Sequence, residues 1–147
     1  MRDKTKIYLD LLDEHREEIN NFPIAYAFDD KQLEEALKKL NATKEECVTI
    51  FGHGDIVKKE NAKSFIEMLE RHSDEIKALI MSNTELAEAA FLYEMDNHEY
   101  AINWDGDDDV LACFGIKLDE LEENGLLDSY RRARDKHYKH AIEWGMI

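Results

Sequence analysis

A single proline, Pro23, interrupts 147 residues, and apolar residues recur along most of the chain at steps of three and four. Together these facts constrain the fold more than any motif does. Proline breaks a helix by removing a donor and clashing with the preceding turn, and three-to-four spacing lines apolar side chains along one helical face. Residues 4 to 20 place Ile7, Leu11, His15 and Ile19 at steps of four, with Tyr8 and Leu12 beside them, until Asn20, Asn21 and Pro23 end the run. Asp29 caps a second helix, with Gln32 as its capping-box partner and Leu33, Ala36, Leu37 and Leu40 as its buried stripe. A long helix from about Asn61 carries Phe65, Ile66, Leu69, Ile76, Leu79 and Ile80, and another from Thr84 carries Leu86, Ala90, Phe91 and Met95. Val110, Leu111 and Phe114 form a short helix stopped by Gly115. A last segment, capped by Asp119 and broken at Gly125, runs through Tyr130, Ala133, His137 and Ala141 to Trp144.

Strands are few and short. PIAYAF (23 to 28) is apolar and aromatic, Ile56 and Val57 make a second strand, and EYAINW (99 to 104) alternates Tyr100, Ile102 and Trp104 against Glu99, Ala101 and Asn103. The stretch TKEECVTIFGHG pulls two ways. Thr43 and Glu46 form a capping box, while CVTIF has strand composition; a short helix ending at Gly52 is the expectation. The sum is α+β: a single domain over residues 1–147, mostly helical, with a small sheet of about three short strands.

Charge is uneven. The chain carries a formal net charge of −15, and residues 84 to 124 account for −12 of it, with Lys117 as their only base. Such a surface is repelled by nucleic acid and anionic membranes and attracted to basic surfaces, so neither direct nucleic-acid binding nor membrane binding is expected. No run approaches the roughly 20 apolar residues that span a bilayer, and MRDKTKIYLDLLDEH is charged throughout, unlike a signal peptide. Cys47 and Cys113 lie far apart among apolar neighbours, which fits reduced, partly buried thiols and a cytoplasmic location.

The densest feature is WDGDDDV, residues 104 to 110. An EF-hand loop starting at Asp105 would need glycine where Val110 stands and glutamate where Ile116 stands, so calcium binding of that type is excluded. A turn followed by a helix cap explains part of the run, but a cap uses one Asp and the helix dipole gains from two at most. The surplus points to mimicry of a phosphate row, set against the simpler alternative of a solvated face that keeps the chain soluble. The candidate partner-binding residues are Glu94, Asp96, Glu99, Trp104, Asp105, Asp107, Asp108, Asp109, Glu120 and Glu123, with Asp119 and Glu122 in the same row.

Catalytic signatures are missing. GHG at 52 to 54 has Val57 where a dinucleotide fingerprint needs its third glycine, and neither a P-loop nor a GxSxG elbow occurs. His15 and His72 occupy apolar stripes as core residues do, and His137 and His140 sit three apart with Glu143 near them. No HExxH or ExxH motif accompanies them, and Glu94 and His98 share a face only if their helix reaches His98. Neither cysteine has the electropositive setting that activates a thiol. No catalytic residue, metal ligand or cofactor is therefore expected. The basic run YRRARDKHYKH (130 to 140) reads as a helix that neutralises acidic segments or, alternatively, as a small patch for nucleic acid or an acidic partner.

FPIAYAF followed by DDKQLEEALKKL, then GHGDIVKK, then the helix leading into YEMDNHEY resemble an uncharacterised family of small acidic proteins of bacteria and their phages, over roughly residues 5 to 140. The resemblance implies no catalytic residue. It implies a mobile-element context, in which small acidic accessory proteins act by binding host machinery. The expectation is a non-enzymatic binding protein that docks on a basic, nucleic-acid-handling host protein, in the manner of anti-restriction or anti-CRISPR inhibitors. The alternatives are a small metal-dependent or thiol enzyme, and a homodimeric accessory protein joined through aromatics such as Trp104 or Trp144.

Overall fold

The computed structural model describes residues 2–147, with side chains from residue 4. Among the described residues the order is α1 (Arg2–Asn21), β1 (Ile24–Tyr26), α2 (Asp30–Leu40), β2 (Cys47–Val48), β3 (Asp55–Lys58), α3 (Lys59–Ser82), α4 (Thr84–Asn97), α5 (Gly106–Ala112), α6 (Glu120–Glu123) and α7 (Leu127–Glu143). The class is α+β, as expected. The chain divides into two compact units, one spanning Glu14–Arg71 and the other taking the residues up to Asp13 and from His72 onward.

The Glu14–Arg71 unit is built on an antiparallel sheet in the order β1-β3-β2. Ile24 and Val48 both lie opposite Val57 of the central strand, and Ala25 lies opposite Ile56. Because side chains alternate across a strand, the sheet has two faces. Ile24, Val57 and Phe65 form one apolar cluster; Ala25, Ala36 and Leu40 form the other. Asp29 accepts the Gln32 N–H at 2.7 Å at the start of α2, but the Gln32 side chain takes the Phe28 N–H at 2.8 Å, one residue earlier than a standard capping box would place it.

The helix expected up to Gly52 does not form. Glu46 accepts from the Thr43 N–H at 3.0 Å and the Thr43 hydroxyl at 2.9 Å, and this supports only a 3-10 turn over Lys44–Glu46 before the chain enters β2. The competing demand comes from Asp55. Its carboxylate takes the N–H groups of Ile50 at 2.7 Å, Phe51 at 3.0 Å and His53 at 3.2 Å, and the Thr49 hydroxyl at 3.0 Å. Donors that a helix would use are thereby committed to a turn.

The second unit is a helical core. α4 packs chiefly on α7, with Ala87, Ala90 and Ala133 fully buried, and small side chains permit a short interaxial distance. Phe91 anchors an aromatic cluster, its ring centroid 5.0 Å from that of Phe114 and 5.2 Å from that of Tyr130; Phe114 in turn lies 5.5 Å from Tyr8. EYAINW is not a strand. Tyr100–Ile102 is a single 3-10 turn, entered through Glu99 at φ 51°, a left-handed conformation that non-glycine residues adopt only when the surroundings enforce it.

Candidate functional site

Residues 99 to 109 carry a set of buried pins beneath an exposed surface. Asp107 is the main pin: one carboxylate oxygen accepts the Tyr100 hydroxyl at 2.7 Å and the Tyr130 hydroxyl at 2.5 Å. The Ala101 N–H donates to His137 Nε2 at 3.0 Å. That nitrogen must therefore present its lone pair, leaving the imidazole proton on Nδ1, which faces Asp96 at 2.7 Å. His140 Nδ1 reaches the same carboxylate at 2.9 Å. Asn103 donates to Asp109 at 2.5 Å. Gly106 is required for close approach: a Cβ there would lie 2.9 Å from Tyr100 Cδ1 and 3.0 Å from the Tyr100 carbonyl oxygen.

This pinning has a pH signature. Burial first, and then the bond to Asp107, pushes the Tyr100 hydroxyl up to about 12 from its ordinary value of 10.0. Tyr130 and Tyr8 are pushed in the same direction, again chiefly by burial. A group with a raised folded pKa contributes its full stability below the unfolded value and loses it as pH rises toward the folded one. Helix content should therefore hold to about pH 10 and fall between about 10 and 12, together with the rise in phenolate absorbance. Far-ultraviolet circular dichroism recorded alongside that absorbance tests this; full ionisation of all six tyrosines with the helices intact would contradict it.

The surface above the pins divides the candidate residues into two groups. Glu94 is 5 % exposed, so it belongs to the interior and cannot face a docking partner. Asp96 is held by the two histidines, Asp107 by the two tyrosines, and Glu120 is half-buried and accepts the Lys117 N–H at 3.0 Å. Glu99, Asp105, Asp108, Asp109 and Glu123 are exposed. Trp104 is fully exposed at 101 %, and Ile102 at 51 %. The exposed set thus centres on one short stretch that joins an indole to carboxylates. Sequence alone grouped all ten residues, because three of the four pins that withdraw Asp96 and Asp107 come from positions 130 to 140.

Two cations of the basic run are committed. Glu88, 6 % exposed, pairs with Arg132 at 2.6 Å and Lys136 at 2.8 Å. Burial alone would raise the Glu88 pKa, but Lys136 and Arg132 outweigh it and the net shift is downward. Arg132 and Lys136 of the run thus neutralise one acidic residue of α4.

A second cluster brings Glu94, His98 and Cys113 together, one ligand atom from each lying within 4.8 Å of the others. Glu94 and His98 are four apart at the C-terminal end of α4, with Glu94 Oε2 3.3 Å from His98 Nε2. Cys113 follows α5 and places its Sγ 3.4 Å from the same nitrogen. Burial, and then the charge of Glu94, pushes the Tyr8 hydroxyl up. Burial, then the Glu94 carboxylate, pushes the Cys113 thiol up to about 12, opposite to the shift that makes a thiolate nucleophile. The i, i+4 spacing of Glu94 and His98 was visible in sequence; the arrival of Cys113 was not. Cys47 and Cys113 are both free and half-buried.

A model of a family of unknown function (DUF7659) matches residues 7–136. No curated protein matches the chain, and no solved structure does. No helix among the described residues is long and apolar enough to cross a membrane.

Proposed function

We propose that this chain, which belongs to that family of unknown function, is a non-enzymatic binding module whose segment 99–109 docks on a basic, nucleic-acid-handling protein. One observation carries the reading: Trp104, at 101 % exposure, is held out on a stretch pinned from below through Tyr100 and Asp107, with exposed Asp105, Asp108 and Asp109 beside it. Exposing a large aromatic to water gives the folded monomer nothing, whereas tryptophan is among the residues most enriched where binding energy concentrates. Pinning supplies preorganisation, so little ordering entropy is lost on docking. The carboxylates add attraction to a basic groove and compete with phosphate for it. The narrower form of the proposal is an anti-defence inhibitor that mimics DNA. It rests on the resemblance to small acidic proteins of bacteria and phages.

The test compares the wild type with a Trp104→Ala/Asp105→Asn/Asp108→Asn variant, each immobilised and exposed to a bacterial lysate. Asp107 is left intact because it holds two buried hydroxyls. The expected result is a basic DNA- or RNA-binding protein retained by the wild type, released by added salt or duplex DNA, and lost from the variant. Identical retention by both proteins, or retention insensitive to salt and DNA, would reject the reading.

A further inference from the structure

The geometry points to a divalent metal site of the zinc type formed by Glu94, His98 and Cys113. Zinc bonds of about 2.3 Å to sulfur and about 2.0–2.1 Å to nitrogen and oxygen, at tetrahedral angles, separate S from N by about 3.6 Å and N from O by about 3.3 Å. The observed separations are 3.4 Å for Cys113 Sγ to His98 Nε2 and 3.3 Å for His98 Nε2 to Glu94 Oε2. Two edges of the cluster therefore already have the spacing that a bound ion would impose, and the third, from Glu94 to Cys113, lies within 4.8 Å.

In the metal-free state one atom serves two partners. His98 Nε2 carries either one proton or one lone pair, yet it faces both a carboxylate oxygen and a thiol sulfur at close range. A cation at the centre would take a lone pair from each of the three. The thiol has an outlet when no metal is bound, since Cys113 Sγ reaches the Asp109 carbonyl at 3.5 Å. On binding, that thiol proton is released to solvent and the ligand set becomes one neutral imidazole and two anions, which matches the charge of a divalent ion.

The surroundings favour a cation in two further ways. Glu94 and His98 occupy the last turn of α4 and its C-cap, where the helix dipole is negative and no basic residue stands. The His98 side chain is also 36 % exposed, which lets water reach a fourth position. The mixed N, O and S donors suit zinc or cobalt and disfavour calcium and magnesium, which take oxygen ligands. An ion here would join the end of α4 to the end of α5 and so bracket residues 99–112, whatever that stretch binds.

Cobalt(II) titration of the reduced, metal-stripped full chain tests the site directly. The expected result is one equivalent bound, with a thiolate-to-cobalt charge-transfer band and the intense visible bands of four-coordination, both displaced by zinc. Cys113→Ser should abolish the charge-transfer band and Cys47→Ser should leave it unchanged. His98→Gln should weaken binding by more than the roughly 10-fold that loss of an outer-shell partner costs. Glu94→Gln risks misfolding because it is buried; His98→Gln at the surface keeps the test decisive. Absence of a charge-transfer band at saturating cobalt, or a band that survives Cys113→Ser, would overturn the assignment.

Discussion

Replacing Asp107 with alanine should destabilise the chain by about 3 kcal/mol, whereas the same change at Asp108 should stay within about 0.5 kcal/mol. The two residues are adjacent and chemically identical, so propensity and charge count cannot separate them. Asp107 accepts hydroxyls from Tyr100 at 2.7 Å and Tyr130 at 2.5 Å, and Tyr130 is only 2 % exposed. A hydrogen bond to a charged acceptor contributes about 1.5–3 kcal/mol, and a buried hydroxyl left without one costs about 1–3 kcal/mol. Asp108 is exposed, and its removal leaves no buried donor unpaired. Urea denaturation followed by circular dichroism should show the Asp107→Ala midpoint lowered by about 1 M or more and the Asp108→Ala midpoint unmoved. Equal midpoints would mean that the Asp run is a uniform solvated ridge, and that segment 99–109 is not preorganised.

In the other unit, Asp55→Asn should cost about 2–3 kcal/mol at neutral pH, and the cost should shrink in acid. Asp55 is 2 % exposed. Its burial alone would raise the carboxyl pKa, but the N–H groups of Ile50, Phe51 and His53 and the Thr49 hydroxyl outweigh burial and bring it down to about 2 from 3.8. For a carboxylate with a depressed folded pKa, the stabilisation is present above the unfolded value and lost as pH falls through the folded one. The wild type should therefore lose its advantage over Asp55→Asn between about pH 4 and pH 2. Thermal or urea midpoints of both proteins across that range check this. A gap independent of pH would show that side-chain shape at position 55, and not its charge, holds the turn.

Helices were readable where their signals are local. The stripe in α2 and the cap at Asp29, which accepts the Gln32 N–H at 2.7 Å, depend on residues within one turn of each other. β1 and β3 were legible from short apolar runs for the same reason. EYAINW misled because alternation of apolar residues fixes neither a buried face nor a partner strand: Tyr100 is buried, while Ile102 and Trp104 are exposed at 51 % and 101 %. No strand lies alongside it; His137, 36 residues later, takes the Ala101 N–H instead, and the chain tightens into a 3-10 turn. TKEECVTIFGHG misled in the opposite direction, since its capping box is real but Asp55 reclaims the donors that follow.

By itself the sequence determined the α+β class, the helical stripes, the concentration of negative charge in residues 84 to 124, and the absence of the standard catalytic motifs. These follow from composition and near-neighbour spacing, which any conformation of the chain retains. The tertiary structure decided which carboxylates face water and which are consumed. It set Asp107 under two tyrosines, Asp96 between two histidines and Glu88 between two bases, and it brought Cys113 to Glu94 and His98. The physical reason is that a carboxylate's role depends on the donors within about 3 Å of it, and packing brings those donors from elements distant in the chain.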